Sequence, residues 1–317
     1  MKKHFTWWGA AALATMALMA GCGSSDSGTS ASGGGTSEGG SGKKIVVGFS
    51  QIGAESNWRK ANTESIKSEA EKRGIELKFV DAQGKQEKQI QAIKNFIAQK
   101  VDVIAFAPVV ETGWKSVLEE AKAAGIPVIV SDRRPDVPED LYVTFIGSDF
   151  IEEGKMAGDW LKKKMNGKAV IAELTGTPGS APANDRKKGF AEAIADSPDM
   201  KVVFSQTGDF QRTKGKEVME ALLKSPEGAS INALYAHNDD MALGAIQAIE
   251  EAGKKPGKDI VIVSIDGIGD AFDAMIAGKM NCTVECNPLL GPPLFDAIAK
   301  ALKGEEQPKR TVMKDGI

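Results

Sequence analysis

The sequence predicts an α/β protein made of two doubly wound, parallel-sheet lobes. From Lys44 onward, short β-branched runs alternate with longer amphipathic stretches, the pattern of βα units. The pattern then repeats in the second half of the chain. With 317 residues, 42% of them hydrophobic, the chain is long enough to bury two cores.

In the first half the predicted strands are Ile45–Ser50, Glu76–Val80, Val103–Ala107, Pro127–Ser131 and Tyr142–Gly147. Helical periodicity over Asn57–Arg73, Gln86–Gln99 and Thr112–Ala124 separates the first four, with Gly74 and Gly125 where helix C-terminal caps belong. The second half predicts strands at Ala169–Leu174, Val202–Gln206, Asn232–Ala236, Ile260–Ile265 and Cys282–Cys286. A helix over Pro288–Lys303 and a short strand over Thr311–Lys314 remain, so the chain crosses between lobes more than once.

The N-terminal segment has a different logic. Lys2 and Lys3 precede an apolar run from Gly9 to Ala20, too short to span a bilayer and suited to a secretory signal. The run ends in Met19-Ala20-Gly21-Cys22, which resembles a bacterial lipobox, so Met1–Gly21 is read as a lipoprotein signal peptide and Cys22 as the lipidated N-terminus. Of the next 20 residues, Gly23 to Gly42, 15 are Gly or Ser; residues 22–43 are therefore the lipidated cysteine and a flexible tether. The expectation is an extracytoplasmic protein, held to the membrane through its N-terminal lipid only.

Composition excludes several chemistries. A net charge of −3 gives no basic surplus for nucleic acid, and no nucleic-acid partner is expected. With only His4 and His237, a His-based triad or two-His metal site lacks its second imidazole, and no metal or other cofactor is expected. Cys282 and Cys286 on one strand stand about 13 Å apart, beyond disulfide reach, and read as small packing residues. There is no G-x-S-x-G elbow, P-loop, H-E-x-x-H or dinucleotide fingerprint. Paired carboxylates such as Asp239 and Asp240 have the chemistry for acid–base work, as in glycoside hydrolysis, but adjacent acids at a helix start more simply serve the helix dipole. The chain is expected not to be an enzyme.

Open parallel sheets bind ligands beyond the carboxyl ends of their strands. The residues just past each run are Glu55, Ser56, Asn57, Trp58 and Arg59; Asp132 and Arg133; Asn238; and Asp266. Arg186 and Phe210 lie in loops or helix starts that can reach the same crevice, whereas Trp114 and Trp160 sit on helical apolar stripes and read as core. Any one of the polar residues can be a cap or turn residue. Together they offer guanidinium, carboxylate and amide groups matched to adjacent hydroxyls, with Trp58 and Phe210 as flat faces for C–H groups. That is a site for a neutral polyol, most simply a sugar.

The residues also resemble a known family. Val46-Val47-Gly48-Phe49-Ser50, Asp132-Arg133, Asp185-Arg186-Lys187-Lys188-Gly189-Phe190, Gly208-Asp209-Phe210, Asn238 to Ala245 and Ser264-Ile265-Asp266-Gly267 resemble the periplasmic sugar-binding proteins of ABC importers, of the ribose and galactose type. Glu55, Trp58, Arg59 and Tyr235-Ala236-His237-Asn238 bring the likeness closest to galactofuranose-binding receptors. The resemblance implies a type I periplasmic binding protein with a three-crossover hinge. It implies an N-terminal lobe of residues 44–147 plus 287–309 and a C-terminal lobe of 148–286 plus 310–317. It carries sugar-binding roles onto Glu55 to Arg59, Asp132, Arg133, Arg186, Phe210, Asn238 and Asp266. The implied protein is a monomer that binds a monosaccharide and hands it to an ABC permease and its ATPase. The alternative partner is a chemotaxis receptor or sensor kinase. One departure stands out: Cys286 occupies the position where ribose receptors present glutamine, with Glu285 beside it as an alternative polar floor.

Overall fold

The computed structural model describes residues 44–317. One parallel sheet is built from β1 (Val46–Gln51), β2 (Glu76–Asp81), β3 (Val103–Phe106), β4 (Val128–Ser131), β5 (Thr144–Gly147) and β11 (Arg310–Val312), in the order β11-β5-β4-β3-β1-β2. Every residue of β3 and β4 is buried, because helices cover both faces of the sheet and leave no side for polar alternation. On one face lie α2 (Gln86–Ala98) and α3 (Lys115–Ala123), with Phe96, Trp114 and Leu118 in the core. On the other lie α1 (Asn57–Lys72) and α9 (Gly291–Leu302), contributing Ile66, Phe295 and Ile298.

The second parallel sheet runs β10-β9-β8-β6-β7, from β6 (Ala169–Thr175), β7 (Met200–Thr207), β8 (Ala233–Ala236), β9 (Val261–Asp266) and β10 (Cys282–Glu285). It is sandwiched between α4 (Phe150–Lys164) with α5 (Ala181–Ile194) and α6 (Arg212–Leu223) with α7 (Asp239–Glu251); α8 (Gly269–Ile276) packs beside α7. The expected strands all form, with ends shifted by a residue or two: β7 runs longer than its apolar run, while β3, β4, β5, β8 and β10 are shorter than expected. Gly74 and Gly125 take the left-handed conformation that ends a helix, as their positions predict.

The chain passes between sheets after β5, after β10 and after β11, and these crossings meet. Asp315 Oδ1 accepts hydrogen bonds from Ser148 Oγ at 3.0 Å and from the Asn287 amide at 3.3 Å, so one carboxylate ties a residue from each crossing. The C-terminal segment departs from the expected lobe boundary. The resemblance implies that residues 310–317 belong to the second lobe, but β11 pairs in parallel with β5 in the first sheet, Arg310 opposite Phe145 and Val312 opposite Gly147. Only after β11 does the chain return, where the Gly316 carbonyl accepts from the Glu285 amide at 2.8 Å. A strand edge left open by β5 offers unpaired backbone groups, and three residues of strand are enough to satisfy them.

The second lobe owes one of its tightest contacts to small residues. A Cβ on Gly154 of α4 would stand 2.3 Å from the Arg186 carbonyl and 2.9 Å from the Phe190 amide of α5. The two helices therefore approach backbone to backbone, which fixes where Arg186 starts. Gly154→Ala is expected to lower unfolding stability by about 1–3 kcal/mol through overpacking. Urea denaturation measures it; an unchanged midpoint would mean that α4 can move off α5 freely.

Candidate functional site

Because both sheets are parallel, the carboxyl ends of β1 and β4 face those of β6, β8 and β9 across one crevice. The residues beyond those ends form an inner cavity. It is lined by Glu55, Ser56, Trp58, Arg59, Asp132 and Arg133 from the first lobe's strand ends and α1. Phe150, Pro182, Arg186, Phe210, Asn238, Asp266 and Cys286 close it from the other side. Its free volume is about 20 Å³, room for about one water. Glu55 and Ser56 also line an outer cavity of about 710 Å³ at the mouth of the crevice.

The first-lobe wall is an ion network. Ser56 caps α1 by accepting the Arg59 amide at 3.1 Å, which sets Arg59 on the first turn, pointing inward. Arg59 Nη2 lies 2.6 Å from Asp132 Oδ2 and its Nε 3.0 Å from Glu55 Oε1. Arg133 Nη2 stands 3.6 Å from the same Glu55 oxygen, and its Nη1 donates to the Val109 carbonyl at 3.1 Å. Burial pushes the Glu55 carboxyl up, but the Arg59 and Arg133 guanidiniums outweigh it and hold it below the usual carboxylate range. Burial works against the Arg59 charge as well, yet Asp132 and Glu55 hold its pKa above the ordinary arginine value. Arg133 goes the other way, down to about 10, because it is buried beside the like charge of Arg59. Glu55 Oε2 and Arg133 Nε are buried without a hydrogen-bond partner. A free acceptor and a free donor thus stand on the same wall.

The opposite wall is built on Arg186. Its Nε lies 2.7 Å from Glu153 Oε2, its Nη1 donates to the His237 carbonyl at 2.6 Å, and its Nη2 stands 3.6 Å from Asp266 Oδ1. Burial drives the Asp266 carboxyl well above its usual range, with Arg186 pulling against it. Asn238 is a helix cap after all: its Oδ1 accepts the Met241 amide at 3.0 Å, while its Nδ2 holds the Phe210 carbonyl at 3.2 Å. The same residue both caps α7 and lines the inner cavity. Phe210 lies under the Arg133 guanidinium at 5.1 Å, so an aromatic from one side and a cation from the other meet over the cavity. Trp58 Nε1 donates to the Cys286 carbonyl at 2.6 Å, which pins the indole at the crossing.

Backbone strain collects here. Asp132, Phe210 and Asp266 have φ of 63°, 59° and 132°, conformations that side chains rarely adopt. All three line the inner cavity.

Of the residues expected at the site, Asn57 alone lies outside the inner cavity. It lines the outer one, where its amide donates to Asp240 Oδ2 at 2.7 Å. That carboxylate is gripped by Arg212 at 2.8 Å, and Asp239 accepts from Ser264, from Thr283 at 2.7 Å and from the Ile268 amide at 2.9 Å. Both acids are therefore engaged in holding α7 and its neighbours. Glu285, the alternative floor, is exposed, because strand alternation turns it away from the cavity that Cys286 lines. Cys286 is more than packing: burial raises its thiol well above the usual range at the cavity wall. Sequence reasoning did not name Phe150 and Pro182. Both open helices, α4 and α5, and a search of first helical turns as well as strand ends would have found them. Trp114 is fully buried and Trp160 packs on the second-lobe core, as expected. The expected Cys22 lipid, signal and tether lie outside the described residues.

Comparison with known proteins adds a family. Residues 47–306 match the model for the periplasmic binding protein domain. The galactofuranose-binding protein YtfQ of Escherichia coli is 54% identical over 272 residues, covering 85% of this chain and 86% of its own. A Mycobacterium smegmatis structure in complex with β-D-fucofuranose is 57% identical, with a TM-score of 0.83, covering 86% of this chain and 90% of that one. The periplasmic binding component of a Shewanella arabinose ABC transporter, bound to α- and β-L-arabinofuranose, is 56% identical, with a TM-score of 0.83 and the same coverage.

Glu55 serves two buried guanidiniums of its own lobe. Glu55→Gln is expected to cost the ligand-free protein about 1–3 kcal/mol, the range for a hydrogen bond to a charged group. Because folding lowers the Glu55 pKa, its contribution is present above the unfolded value and is lost as pH falls through the folded one. The gap between wild type and E55Q should accordingly narrow in acid. Urea titrations at pH 7 and pH 3.5 read both effects; a constant gap would contradict the assignment.

Proposed function

Since this chain belongs to the periplasmic binding protein family, of the two-lobed type I fold, we propose that it captures a monosaccharide in its furanose form between the lobes and delivers it to an ABC sugar importer. The family is one of binding proteins rather than enzymes. The observation that carries the sugar reading is the inner cavity. Buried guanidiniums and carboxylates from both lobes line it beside Trp58 and Phe210, with the Glu55 and Arg133 atoms free to bond. A ring of hydroxyls needs paired acceptors and donors on its edge and flat apolar surface on its faces. Relatives at 54–57% identity that are named for, or bound to, furanoses favour that ring form.

In this mechanism the lobes part about the crossings tied by Asp315, admit the sugar, and close around it with the inner cavity wider than the one-water space seen here. Arg59, Asp132 and Arg133 grip from the first lobe; Arg186, Asn238 and Asp266 grip from the second. A ligand shifts such an equilibrium only by its differential affinity for the closed form, and contacts from two lobes supply that difference. The closed face then docks the permease, whose ATPase drives import. Delivery to an importer is favoured over delivery to a sensor because the arabinofuranose relative is a component of an ABC transporter.

We further propose that the protein acts outside the cytoplasm as a monomeric lipoprotein, with Met1–Gly21 removed, Cys22 lipidated and residues 22–43 as the tether. No helix among the described residues is long and apolar enough to cross a membrane. Labelling with a radioactive fatty acid, lost in Cys22→Ala, tests the anchor.

Two measurements test the ligand. A thermal-shift screen with L-arabinose, D-galactose and D-fucose should raise the melting point, since ligand at a thousand times Kd adds about 4 kcal/mol. Pyranose-locked methyl glycosides should give no shift; a shift with them alone would overturn the furanose reading. Asp132→Ala should abolish binding while the protein stays folded, and retained affinity would show that the cavity is not the site.

A further inference from the structure

Arg186 is held from behind by a residue that does not line the cavity. Glu153, on the first turn of α4, is fully buried, and its Oε2 at 2.7 Å is the nearest carboxylate to that guanidinium. Asp266, on the cavity wall, stands farther off at 3.6 Å. A guanidinium is planar and its donors are fixed in a fork. A carboxylate on Nε and the His237 carbonyl on Nη1 therefore define its plane, leaving Nη2 turned toward Asp266. The close approach of α4 to α5 at Gly154 sets the two side chains within reach.

Other titratable groups face Glu153 from the elements packed around it. They are Arg186 of α5, Cys286 beyond β10 and Asp315 of the C-terminal crossing, with Asp266 of β9 and Tyr235 of β8 also within its field. Burial lifts the Glu153 carboxyl to about 7, with Arg186 pulling it back.

We infer that Glu153 is a positioning residue that orients the Arg186 fork for the ligand without touching the ligand itself. The inference rests on the reading of the inner cavity as a sugar site. Loss of the Glu153 charge, by substitution or by protonation, frees the guanidinium to turn and weakens the grip of the second lobe.

The test is calorimetric titration of the full chain with L-arabinose, D-galactose and D-fucose at pH 6, 7 and 8. In wild type, affinity is expected to fall as pH drops from 8 to 6, because Glu153 takes up a proton. Glu153→Gln should weaken binding about tenfold or more at pH 8, a loss of at least about 1.4 kcal/mol, and should flatten that pH profile. Glu153→Asp, which keeps the charge, should recover part of the affinity. Wild-type affinity in E153Q, or the same pH step persisting in it, would overturn the inference; the second result would assign the step to another group of the cluster. Should E153Q fail to fold, R186Q is compared with R186Q/E153Q, in which the Arg186–Glu153 ion pair is removed whole. Equal affinities support a role exerted through Arg186, and a further loss in the double variant overturns it. A wild type that binds none of the three sugars overturns the sugar reading and this inference with it, whereas a wild type that binds no better than E153Q overturns the inference alone.

Discussion

Three guanidiniums, of Arg59, Arg133 and Arg186, are buried around a single cavity, and that is the constraint on which the rest depends. A charge removed from water costs several kcal/mol unless partners at close range replace the solvent. Each arginine must therefore be met by acids or carbonyls in fixed positions. Asp132 and Glu55 meet Arg59, the Val109 carbonyl meets Arg133, and Glu153 and the His237 carbonyl meet Arg186. Those partners stand on a first helical turn or in the chain just past the carboxyl ends of the strands. The left-handed backbone at Asp132 and Asp266 is part of the same cost: the carboxylates are aimed by a conformation that packing must enforce.

Much of this was legible in the sequence because parallel sheets write plainly. Buried strands such as Val103–Phe106 and Val128–Ser131 are continuous apolar runs, and the residue after the run is by topology a candidate for the crevice. That rule found Asp132, Arg133, Asn238 and Asp266 without any knowledge of packing. It failed where position depends on three-dimensional neighbours. Asn57 is adjacent to Ser56, yet its amide turns outward to Asp240 because that is where a helix's first N–H groups point. Glu153 reads in sequence as one acid in the Glu152-Glu153 pair at a helix start; only the approach of α5 makes it the partner of Arg186. The family resemblance places residues 310–317 with the second lobe, whereas β11 pairs with β5 of the first sheet before the chain returns, a long-range pairing the sequence does not display.

The cysteines show how composition can be read correctly and still understate a residue. Cys282 and Cys286 are unpaired and buried, as their spacing predicts. The Cys286 backbone nevertheless receives the Trp58 indole, and its sulfur lies 3.6 Å from the Ser148 hydroxyl that bonds to Asp315. A small side chain at that crossing leaves room for the Trp58 ring, and the carbonyl beneath it does the bonding.

The contacts that run between the two sheets have a kinetic consequence. The Asn57 amide on Asp240 and the Asn184 amide on Glu111 at 2.6 Å join the two lobes, and the Trp58 indole on the Cys286 carbonyl joins the first lobe to a crossing. None of them involves an occupant, and in the proposed binding cycle they must part for the lobes to open. In the proposed binding cycle, residence time is governed by a gate: departure cannot outrun the lobe opening, a class of motion that takes microseconds to milliseconds. Two molecules that differ widely in how well they fit share the same ceiling on their escape rate, and they differ in how often the gate recloses before they go.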